Sequence, residues 1–554
     1  MKKNQVFTGE ITGLTSQGLG VARFEERAVF VKGAIPGECC EIKIVKVGKT
    51  AVYGRLERII TASPHRVSPV CPHFGLCGGC DLMHMDYPFE AQMKRQRVYD
   101  VLQRIGGVDP GELPITPAPT DQGYRNKAQF PVAMTAQGPA AGFFRARTHQ
   151  LIPVTDCYIQ PPEAHKIAQA VLAWMERYHI LPYDETTGKG YIRHIFVRKA
   201  VVTGELMACI IANAQELPKR KQLVEQLRAA VPEITTIVHN VNTRPGNAIL
   251  GDTYHTLYGN GFIEDQLCGL TFRLSPASFY QVNHHQAEVL YEKAISMADL
   301  HGTETVLDLY CGTGTITLAM SRSAGQVIGV EVVPQAIEDA QDNARRNGIE
   351  NARFFCADAG KAALQLASEG IRPDVITVDP PRKGISQDVI DAIDAMNPDR
   401  LVYVSCDPAT LARDVKLLEE KGYRYQRGEA VDLFPRTKHV ETVVLLSHKK
   451  PDGHINVKVE FGEGEGKVPL DNIAKRAESY KPKERVTYKM IKEYIEAKYG
   501  FKVHTAYIAE VKRGLGLPMY DAPNAVEELK QPRKHPTAEK VEAIKDALKH
   551  FEVI

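Results

Sequence analysis

A chain of 554 residues is too long for a single hydrophobic core, so we expect about three or four domains. Its composition is ordinary for a soluble protein, with 44% hydrophobic and 25% charged residues, and its net charge of +2 excludes neither nucleic acid nor a small molecule as substrate. No apolar run approaches the roughly 18 residues that span a bilayer, and the first residues carry no apolar signal core. These features predict a cytoplasmic protein with no membrane partner.

The first predicted domain comprises residues 1–62. Short β-rich runs alternate with glycine turns between residues 4 and 60, and five strands at this close spacing predict a small, OB-like β-barrel. These runs carry basic residues, namely Lys32, Lys43, Lys46, Lys49, Arg55 and Arg58. A basic surface suits an RNA backbone, although such a charge bias is more often only a solvated face.

Eleven cysteines in a chain predicted to be cytosolic indicate metal binding, catalysis or burial rather than disulfides. Cys71, Cys77 and Cys80 follow a C-x5-C-x2-C spacing, with two glycines that let the backbone fold close to a ligand. This density predicts a metal or cluster site, for which Cys157 is the best candidate fourth ligand. Four thiolates suit either zinc or an iron–sulfur cluster, and the spacing does not choose between them.

These cysteines fall in a predicted central α+β domain, residues 63–272, and we expect part of residues 85–125 to pack on the domain that follows. Aromatic and basic residues alternate in two stretches, 123–130 and 142–149. Single-stranded RNA is bound by such surfaces, through base stacking and phosphate contacts.

Strands and helices alternate along the third predicted domain, residues 273–449. Five apolar strands are expected, at 305–310, 327–331, 352–356, 374–379 and 401–404, and two more between 423 and 447. Repeated strand–helix units of this length predict a Rossmann-like, doubly wound parallel sheet that binds ligands at the carboxyl ends of its strands.

A nucleotide-type loop follows the first of these strands. Gly312 and Gly314 open a helix there, and Glu331 ends the next strand, where a carboxylate can bind a ribose diol. Because only two glycines are present, not the three of a dinucleotide site, S-adenosylmethionine is favoured over NAD. Asp358, after the third strand, is placed for the adenine edge, and a helix cap is the alternative interpretation.

Cys406 follows the strand 401–404 and precedes a helix, whose exposed N–H groups are expected to favour the thiolate. A buried apolar thiol is the alternative. Asp379 ends the neighbouring strand, so a thiol and a carboxylate open onto one crevice. Thiolate addition at carbon 6 of a uracil would activate carbon 5 for methylation. Loss of the carbon 5 proton then needs a base, and Glu441 is the candidate.

Five motifs in this order resemble those of the RNA uracil-5-methyltransferases. They are Phe279-Tyr-Gln-Val-Asn283, Leu307-Asp-Leu-Tyr-Cys-Gly-Thr-Gly314, Asp379-Pro-Pro-Arg-Lys-Gly384, Ser405-Cys-Asp-Pro408 and His439-Val-Glu-Thr442. Residues 4–60 resemble the TRAM domain that many members carry. The cysteine set resembles the iron–sulfur motif of members that act on 23S ribosomal RNA. The resemblance covers residues 4–448.

The resemblance implies that Cys406 is the nucleophile and Glu441 the proton acceptor. It implies an S-adenosylmethionine site made by Gln281, Tyr310, Glu331 and Asp379, with Asp358 and Thr315 as lesser contacts beside Gly312 and Gly314. Thr315 stands where some members have Asn. It also implies a [4Fe-4S] cluster held by Cys71, Cys77, Cys80 and Cys157.

Three functions are compatible with these patterns. The first is methylation of uridine in 23S ribosomal RNA by a monomeric enzyme, and the second is the same chemistry on transfer RNA. The third is an iron–sulfur RNA-binding protein without catalysis. DNA cytosine-5 methylation is disfavoured, because its Pro-Cys loop and Glu-Asn-Val strand do not occur. Residues 450–554 are a predicted α+β C-terminal extension, with a strand at 455–461, helices at 488–498 and 537–550, a loop at 518–523 and an RNA-contacting or packing role.

Overall fold

The computed structural model describes residues 1–146, 148–448, 488–515 and 536–551. Contacts divide the chain into two units, Met1–Asp452 and Gly453–Ile554. The predicted strand at 455–461 and loop at 518–523 lie outside the described residues. Within the described ranges, no helix combines the length and apolar character needed to cross a membrane.

The N-terminal β-barrel has six strands, one more than predicted. They are β1 Val6–Glu10, β2 Gly13–Leu14, β3 Gly20–Phe24, β4 Arg27–Lys32, β5 Cys39–Val47 and β6 Val52–Thr61, in the sheet order β1-β5-β6-β4-β3-β2. Strands β1 and β2 follow each other directly in the chain, but β1 pairs with β5 at one end of this order and β2 pairs with β3 at the other end. The sheet therefore closes on itself. Alternate residues of β5, including Ile42 and Ile44, fill its core.

The next region opens with helix α1, Tyr87–Val101, which continues into a π-helical turn, Leu102–Gly106, and the short strand β7, Ile115–Thr116. A seven-stranded sheet follows, in the order β10-β9-β8-β11-β12-β13-β14. Its strands are β8 Lys127–Thr135, β9 Gly138–Phe144, β10 Leu151–Pro153, β11 Ile192–Lys199, β12 Leu206–Ala212, β13 Ile234–Val241 and β14 Thr253–Tyr258. Helices α2, Pro162–Arg177, and α3, Arg220–Ala230, pack on it around the fully buried Trp174.

A hairpin, β15 Ile263–Leu267 and β16 Leu270–Leu274, leads into the third region. Its strands are β17 Thr305–Asp308, β18 Gln326–Glu331, β19 Ala352–Cys356, β20 Val375–Val378, β21 Arg400–Ser405, β22 Tyr423–Val431 and β23 Glu441–His448. Its helices are α4 His284–Ala298, α5 Thr315–Ser321, α6 Pro334–Arg346, α7 Ala359–Ser368, α8 Gln387–Met396 and α9 Pro408–Glu420.

The sheet of this region has the order β19-β18-β17-β20-β21-β23-β22-β7. Strands β17 to β21 pair in parallel, as predicted, whereas β23 runs antiparallel between β21 and β22. Strand β7 extends the far edge by pairing with β22. The carboxyl ends of the five parallel strands therefore share one edge, which begins the site described below.

The second unit contains three helices among its described residues. They are α10 Tyr488–Tyr499, α11 Thr505–Gly514 and α12 Ala538–His550. The first and last agree with the helices that the spacing of apolar residues predicts at 488–498 and 537–550. Their inward faces form a small core of their own, with Ile495, Ile508 and Ile544 fully buried.

Candidate active site

A cavity of about 1030 Å³ lies at the carboxyl ends of the parallel strands. Nine of the ten residues predicted for catalysis and cofactor binding line it, namely Gln281, Tyr310, Gly312, Thr315, Glu331, Asp358, Asp379, Cys406 and Glu441. The tenth, Gly314, is not among the lining residues. The structure therefore brings together side chains that lie as far apart in the chain as residues 281 and 441.

The glycine loop joins β17 to α5. Gly312 has a φ of +53° and Gly314 a φ of +84°, both in the left-handed region that favours glycine. Gly314 is the N-cap of α5, and a Cβ at this position would lie 3.2 Å from the Cβ of Ala340 in α6. Gly314 thus shapes the turn and the close helix approach, whereas Gly312 faces the cavity.

Glu331 is held in place by backbone donors. The N–H of Gly312 donates to one carboxylate oxygen at 3.3 Å, and the N–H groups of Val332 and Val333 donate to the other at 2.8 and 3.0 Å. These bonds fix the orientation of an acceptor at the end of β18, which is where a ribose diol would be recognised.

Asp358 caps a helix and also faces the cavity. It is the N-cap of α7, since its carboxylate accepts from the N–H of Lys361 at 3.3 Å, and it also lines the cavity. Helix capping alone would explain its residue type, so its cofactor role stays a prediction.

Two carboxyl groups on the cavity wall, those of the buried Asp308 and the half-buried Asp379, have raised pKa values. Asp308 accepts from the Thr317 hydroxyl at 2.6 Å, and burial raises the pKa of Asp308 to about 6. Burial, followed by the charge of Asp308, raises the pKa of Asp379 to about 7. Beside them, the Tyr291 and Thr315 hydroxyls are 3.0 Å apart, so Thr315 has a neighbouring side chain on the cavity wall.

The Cys406 thiol lies between the end of β21 and the start of α9. Burial, then the charges of Glu441 and Asp379, raise the pKa of this thiol to about 11, while Arg382 opposes them. The expectation that helix N–H groups would favour the thiolate is therefore wrong. The Asp407 carboxylate already accepts from the N–H groups of Ala409 and Thr410 at the start of α9, at 3.0 and 3.3 Å, and its negative charge also raises the pKa of the thiol.

Glu441 begins β23 and is buried. Burial, then the Asp379 charge, raise the pKa of Glu441 to about 8, and the nearby Arg382 lowers it. Arg382 also contacts His439, with 3.3 Å between its guanidinium and the imidazole Nε2. Burial and Arg382 lower the pKa of His439 to about 4, so the ring is neutral, and the contact assigns Nε2 as the acceptor.

Several cavity residues have no role in the sequence analysis. Phe279 is 64% exposed at the cavity, and Phe434 and His439 line it from the loop of residues 432–440, here called the β22–β23 loop. Phe279, Arg382 and His439 stand inside motifs that carry the family resemblance, so this signal could have identified them. Phe434 lies in no such motif and is placed only by the fold.

The four cysteines predicted as cluster ligands lie in one neighbourhood. Burial raises the pKa of Cys80, and the charges of Cys157, Cys77 and Cys71 raise it further. Burial also raises the pKa of Cys157 to about 11, with smaller contributions from Cys71 and Cys77. Across the part of the chain that is described, however, no three His, Cys, Asp or Glu side chains are gathered as metal ligands. The geometry thus supports proximity of the thiols but no assembled site.

A parallel α/β sheet, a left-handed glycine loop and an oriented carboxylate at the next strand end define the S-adenosylmethionine-dependent methyltransferase class. The family model described as "tRNA (Uracil-5-)-methyltransferase" matches residues 258–449, and the TRAM domain model matches residues 2–56. An uncharacterized RNA methyltransferase of Bacillus cereus is 43% identical over 449 residues, which are 80% of this chain and 98% of that protein. A relative from Halalkalibacterium halodurans with the same description is 43% identical over 454 residues, which are 81% of this chain and 98% of that protein.

Among solved structures, the Pyrococcus abyssi tRNA (uracil-54, C5)-methyltransferase in complex with S-adenosyl-L-homocysteine is similar. The two chains are 25% identical, and their superposition has a TM-score of 0.65. The match covers 79% of this chain and 100% of the Pyrococcus abyssi chain. The chain belongs to the RNA uracil-5-methyltransferase family and carries an N-terminal TRAM domain. It is an S-adenosylmethionine-dependent RNA methyltransferase.

Proposed function

We propose that the protein methylates carbon 5 of a uridine through a covalent bond between Cys406 and carbon 6 of the base, with Glu441 as the base that resolves it. The observation that carries this proposal is the single cavity onto which the Cys406 thiol, the Glu441 carboxyl group and the glycine loop all open. A thiol and a carboxyl group beside a methyl-donor site are the groups that this two-stage reaction requires.

The residues present fit the methyl donor. Glu331 and Gly312 would hold its ribose, Asp358 its adenine edge, and Gln281 and Tyr310 the walls around it. The oriented carboxylate of Glu331 supports this assignment, because backbone N–H groups hold it in place and it lines the cavity. When bound, S-adenosylmethionine supplies an electrophilic methyl group.

Addition to the base begins at Cys406. Its thiol is protonated at neutral pH, so a proton must leave as the carbon–sulfur bond forms at carbon 6. The Asp379 carboxylate, a neighbour of this thiol with a pKa of about 7, accepts it, and the Glu441 carboxylate stays free for the later step. Arg382 lowers the pKa of both Cys406 and Glu441, and so favours their anions. The electron pair of the carbon 5–carbon 6 double bond then makes carbon 5 nucleophilic.

Resolution of the adduct requires loss of a proton. After carbon 5 takes the methyl group, the Glu441 carboxylate removes the carbon 5 hydrogen as a proton. The electron pair of that C–H bond re-forms the double bond, and the Cys406 sulfur leaves as thiolate. A pKa of about 8 makes Glu441 a stronger base than an exposed carboxylate, and its burial excludes competing water.

A buried cation positions the segment that carries Phe279. Arg198 of β11 is buried, and its guanidinium donates to the backbone oxygens of Ser275 and Ser278. Ser278 is next to Phe279, whose exposed ring is available for stacking on a base. An exposed aromatic ring at the cavity supports an RNA strand that enters here with its target base turned out of the stack.

For the substrate, we favour 23S ribosomal RNA, as the cysteine set and the TRAM domain suggest. Transfer RNA is the second candidate, supported by the Pyrococcus abyssi structure and by the description of the matching family model. Total RNA from a deletion strain, treated with the purified protein, separates the two, because the new 5-methyluridine is mapped directly. New 5-methyluridine in ribosomal RNA alone would support 23S ribosomal RNA as the substrate. New 5-methyluridine in transfer RNA alone would reject it.

The four cysteines are proposed to hold a [4Fe-4S] cluster. Support comes from their spacing and from their mutual proximity, although their side chains are not in a ligating arrangement. Iron and acid-labile sulfide are measured in protein purified without oxygen. Four of each per chain would agree with the proposal, and stoichiometric zinc without iron would refute it.

The catalytic proposal is tested with RNA that contains 5-fluorouridine. Fluorine cannot leave carbon 5 as a proton does, so the methylated adduct should accumulate as a protein–RNA complex stable to denaturation. Cys406→Ala should abolish this complex while still binding S-adenosylmethionine. The exposed Cys356→Ala is the matched control and should trap normally. Equal trapping by wild type and Cys406→Ala would remove Cys406 from the mechanism.

A further inference from the structure

The second unit contains two helices joined by a short turn. Helix α10 ends at Tyr499 and is followed by Gly500, whose φ of +75° is left-handed. Helix α11 begins after His504, whose side chain accepts from the N–H of Ala506 at 3.2 Å. Two helices separated by a five-residue turn with a glycine have the connectivity of a helix-turn-helix.

The third helix completes the core of this arrangement. Apolar residues of all three helices are buried together, namely Ile491, Ile495, Val503, Ile508, Val511, Ala543, Ile544, Ala547 and Leu548. Because Ile508 and Val511 direct one side of α11 into this core, the opposite side, which includes Ala506 and Arg513, is exposed. This is the side that a helix-turn-helix presents to nucleic acid.

Positive charge is concentrated on the turn and on α11. The turn and α11, residues 500–514, contain three Lys or Arg residues against one Glu, whereas α12 contains three Lys and three acidic residues. Lys502 exposes 82% of its side chain, and its ammonium pairs with the exposed Glu496 carboxylate at 3.3 Å, a solvent-exposed ion pair of the kind that contributes little and that a phosphate can replace. Lys512 and Lys540 lie over the rings of Tyr488 and Tyr507, at 5.6 and 5.8 Å, which keeps both ammonium groups near this face.

We propose that this surface, the α11 face, docks on helical RNA. It comprises Lys502, His504, Ala506, Lys512 and Arg513. Its charge is complementary to phosphate, and the small Ala506 lets the helix backbone come close to a strand. The inference relies on the function above only for the choice of RNA as partner, and it adds a second RNA contact beyond residue 449, where the matched family region ends.

The binding mode follows from the shape of RNA. The major groove of an A-form helix is too deep and narrow for side chains to read, so the α11 face contacts phosphates and does not select sequence. Binding to phosphates releases counterions from the RNA. Each Lys or Arg that is removed from the face should therefore lower the slope of log K against log salt concentration by about one.

The test uses the full chain and a fluorescent RNA duplex. In Lys502→Gln/Arg513→Gln, we expect the dissociation constant to rise about tenfold at low salt, and the slope of log K against log salt to fall by about two. The matched control, Lys545→Gln/Lys549→Gln, removes the same charge from α12 and should change neither. Retained helical circular dichroism and melting establish that both variants fold, and Arg513→Lys should preserve binding.

Two results would overturn the proposal: unchanged RNA affinity in the α11-face variant, or an equal loss in the α12 control. Failure of the catalytic proposal gives a different pattern, because the 5-fluorouridine complex would be absent while the α11-face variant still lost RNA affinity.

Discussion

Lys94 of α1 and Asp432 of the β22–β23 loop form a buried ion pair, 2.8 Å long, across 338 positions of the chain. The same ammonium donates to Glu90 at 2.7 Å and to the backbone oxygen of Phe434 at 3.1 Å. Glu90 in turn accepts from the backbone N–H of Arg436 at 2.7 Å. Helix α1 therefore holds the loop that carries Phe434 and His439 to the cavity and leads into Glu441.

Loss of this pair should cost both stability and turnover. In Lys94→Met, two buried carboxyl groups lose their cation, and we expect the free energy of unfolding to fall by about 3–5 kcal/mol. Below the lowered melting temperature, kcat should fall more than the affinity for S-adenosylmethionine, because the loop and not Glu331 is disturbed. Chemical denaturation and steady-state kinetics measure the two effects.

The control for this variant is Lys421→Met. Lys421 pairs with Asp391 and Asp394 at the surface, at 2.9 and 3.2 Å, where solvent screens the charges, so its loss should lower the free energy of unfolding far less than Lys94→Met does. Equal losses in the two variants would mean that the buried pair does not hold the loop.

The rate of methyl transfer should rise with pH. Glu441 acts as a base only when deprotonated, and the pKa values of Glu441 and Cys406 are raised to about 8 and 11. Single-turnover rates are therefore expected to increase from pH 6 to pH 9, about tenfold per pH unit while one proton must leave. Glu441→Gln should retain adduct formation but not release product. A rate that is flat from pH 6 to 9 would contradict these assignments.

Stability should change with pH in the opposite direction. The folded pKa of Glu441, about 8, exceeds its ordinary value of 4.5, so the folded protein holds a proton that the unfolded chain releases. This contribution is complete below pH 4.5 and is lost as the pH rises to 8. Glu441→Gln, which stays neutral, should therefore melt higher than the wild type at pH 9 and equally at pH 4.5. A melting difference that does not vary with pH would exclude a buried, proton-holding Glu441.

The sequence predicted those parts of the site that local patterns encode. Each of the five parallel strands is a short apolar run, and Glu331, Asp379 and Cys406 directly follow or end such runs. Since parallel strands end at a common edge, their positions in the chain predict their proximity in space. The order of strands and helices along the sequence therefore predicted most of the catalytic and cofactor residues that line the cavity.

Other features depend on contacts between distant segments. Nothing near Lys94 indicates that its partner is Asp432, because a basic amphipathic helix is also a common solvent-exposed pattern. The thiolate prediction for Cys406 failed for a similar reason: the carboxyl groups that raise its pKa come from β20 and β23. Burial and long-range charge are properties of the assembled fold, and no local pattern in the chain reports them.

Phe279 offers a direct test of how the target base is held. Its ring is 64% exposed at the cavity, and stacking on one base contributes about 1–3 kcal/mol. Phe279→Ala should therefore raise the KM for RNA about 5- to 150-fold and leave the dissociation constant of S-adenosylmethionine unchanged. Met134→Ala, which shortens a 53% exposed side chain on β8, is the control and should alter neither. Phe279→Tyr, which keeps the ring, should restore the KM. If Phe279→Ala lowers kcat without changing the KM, the ring acts after binding and does not capture the base.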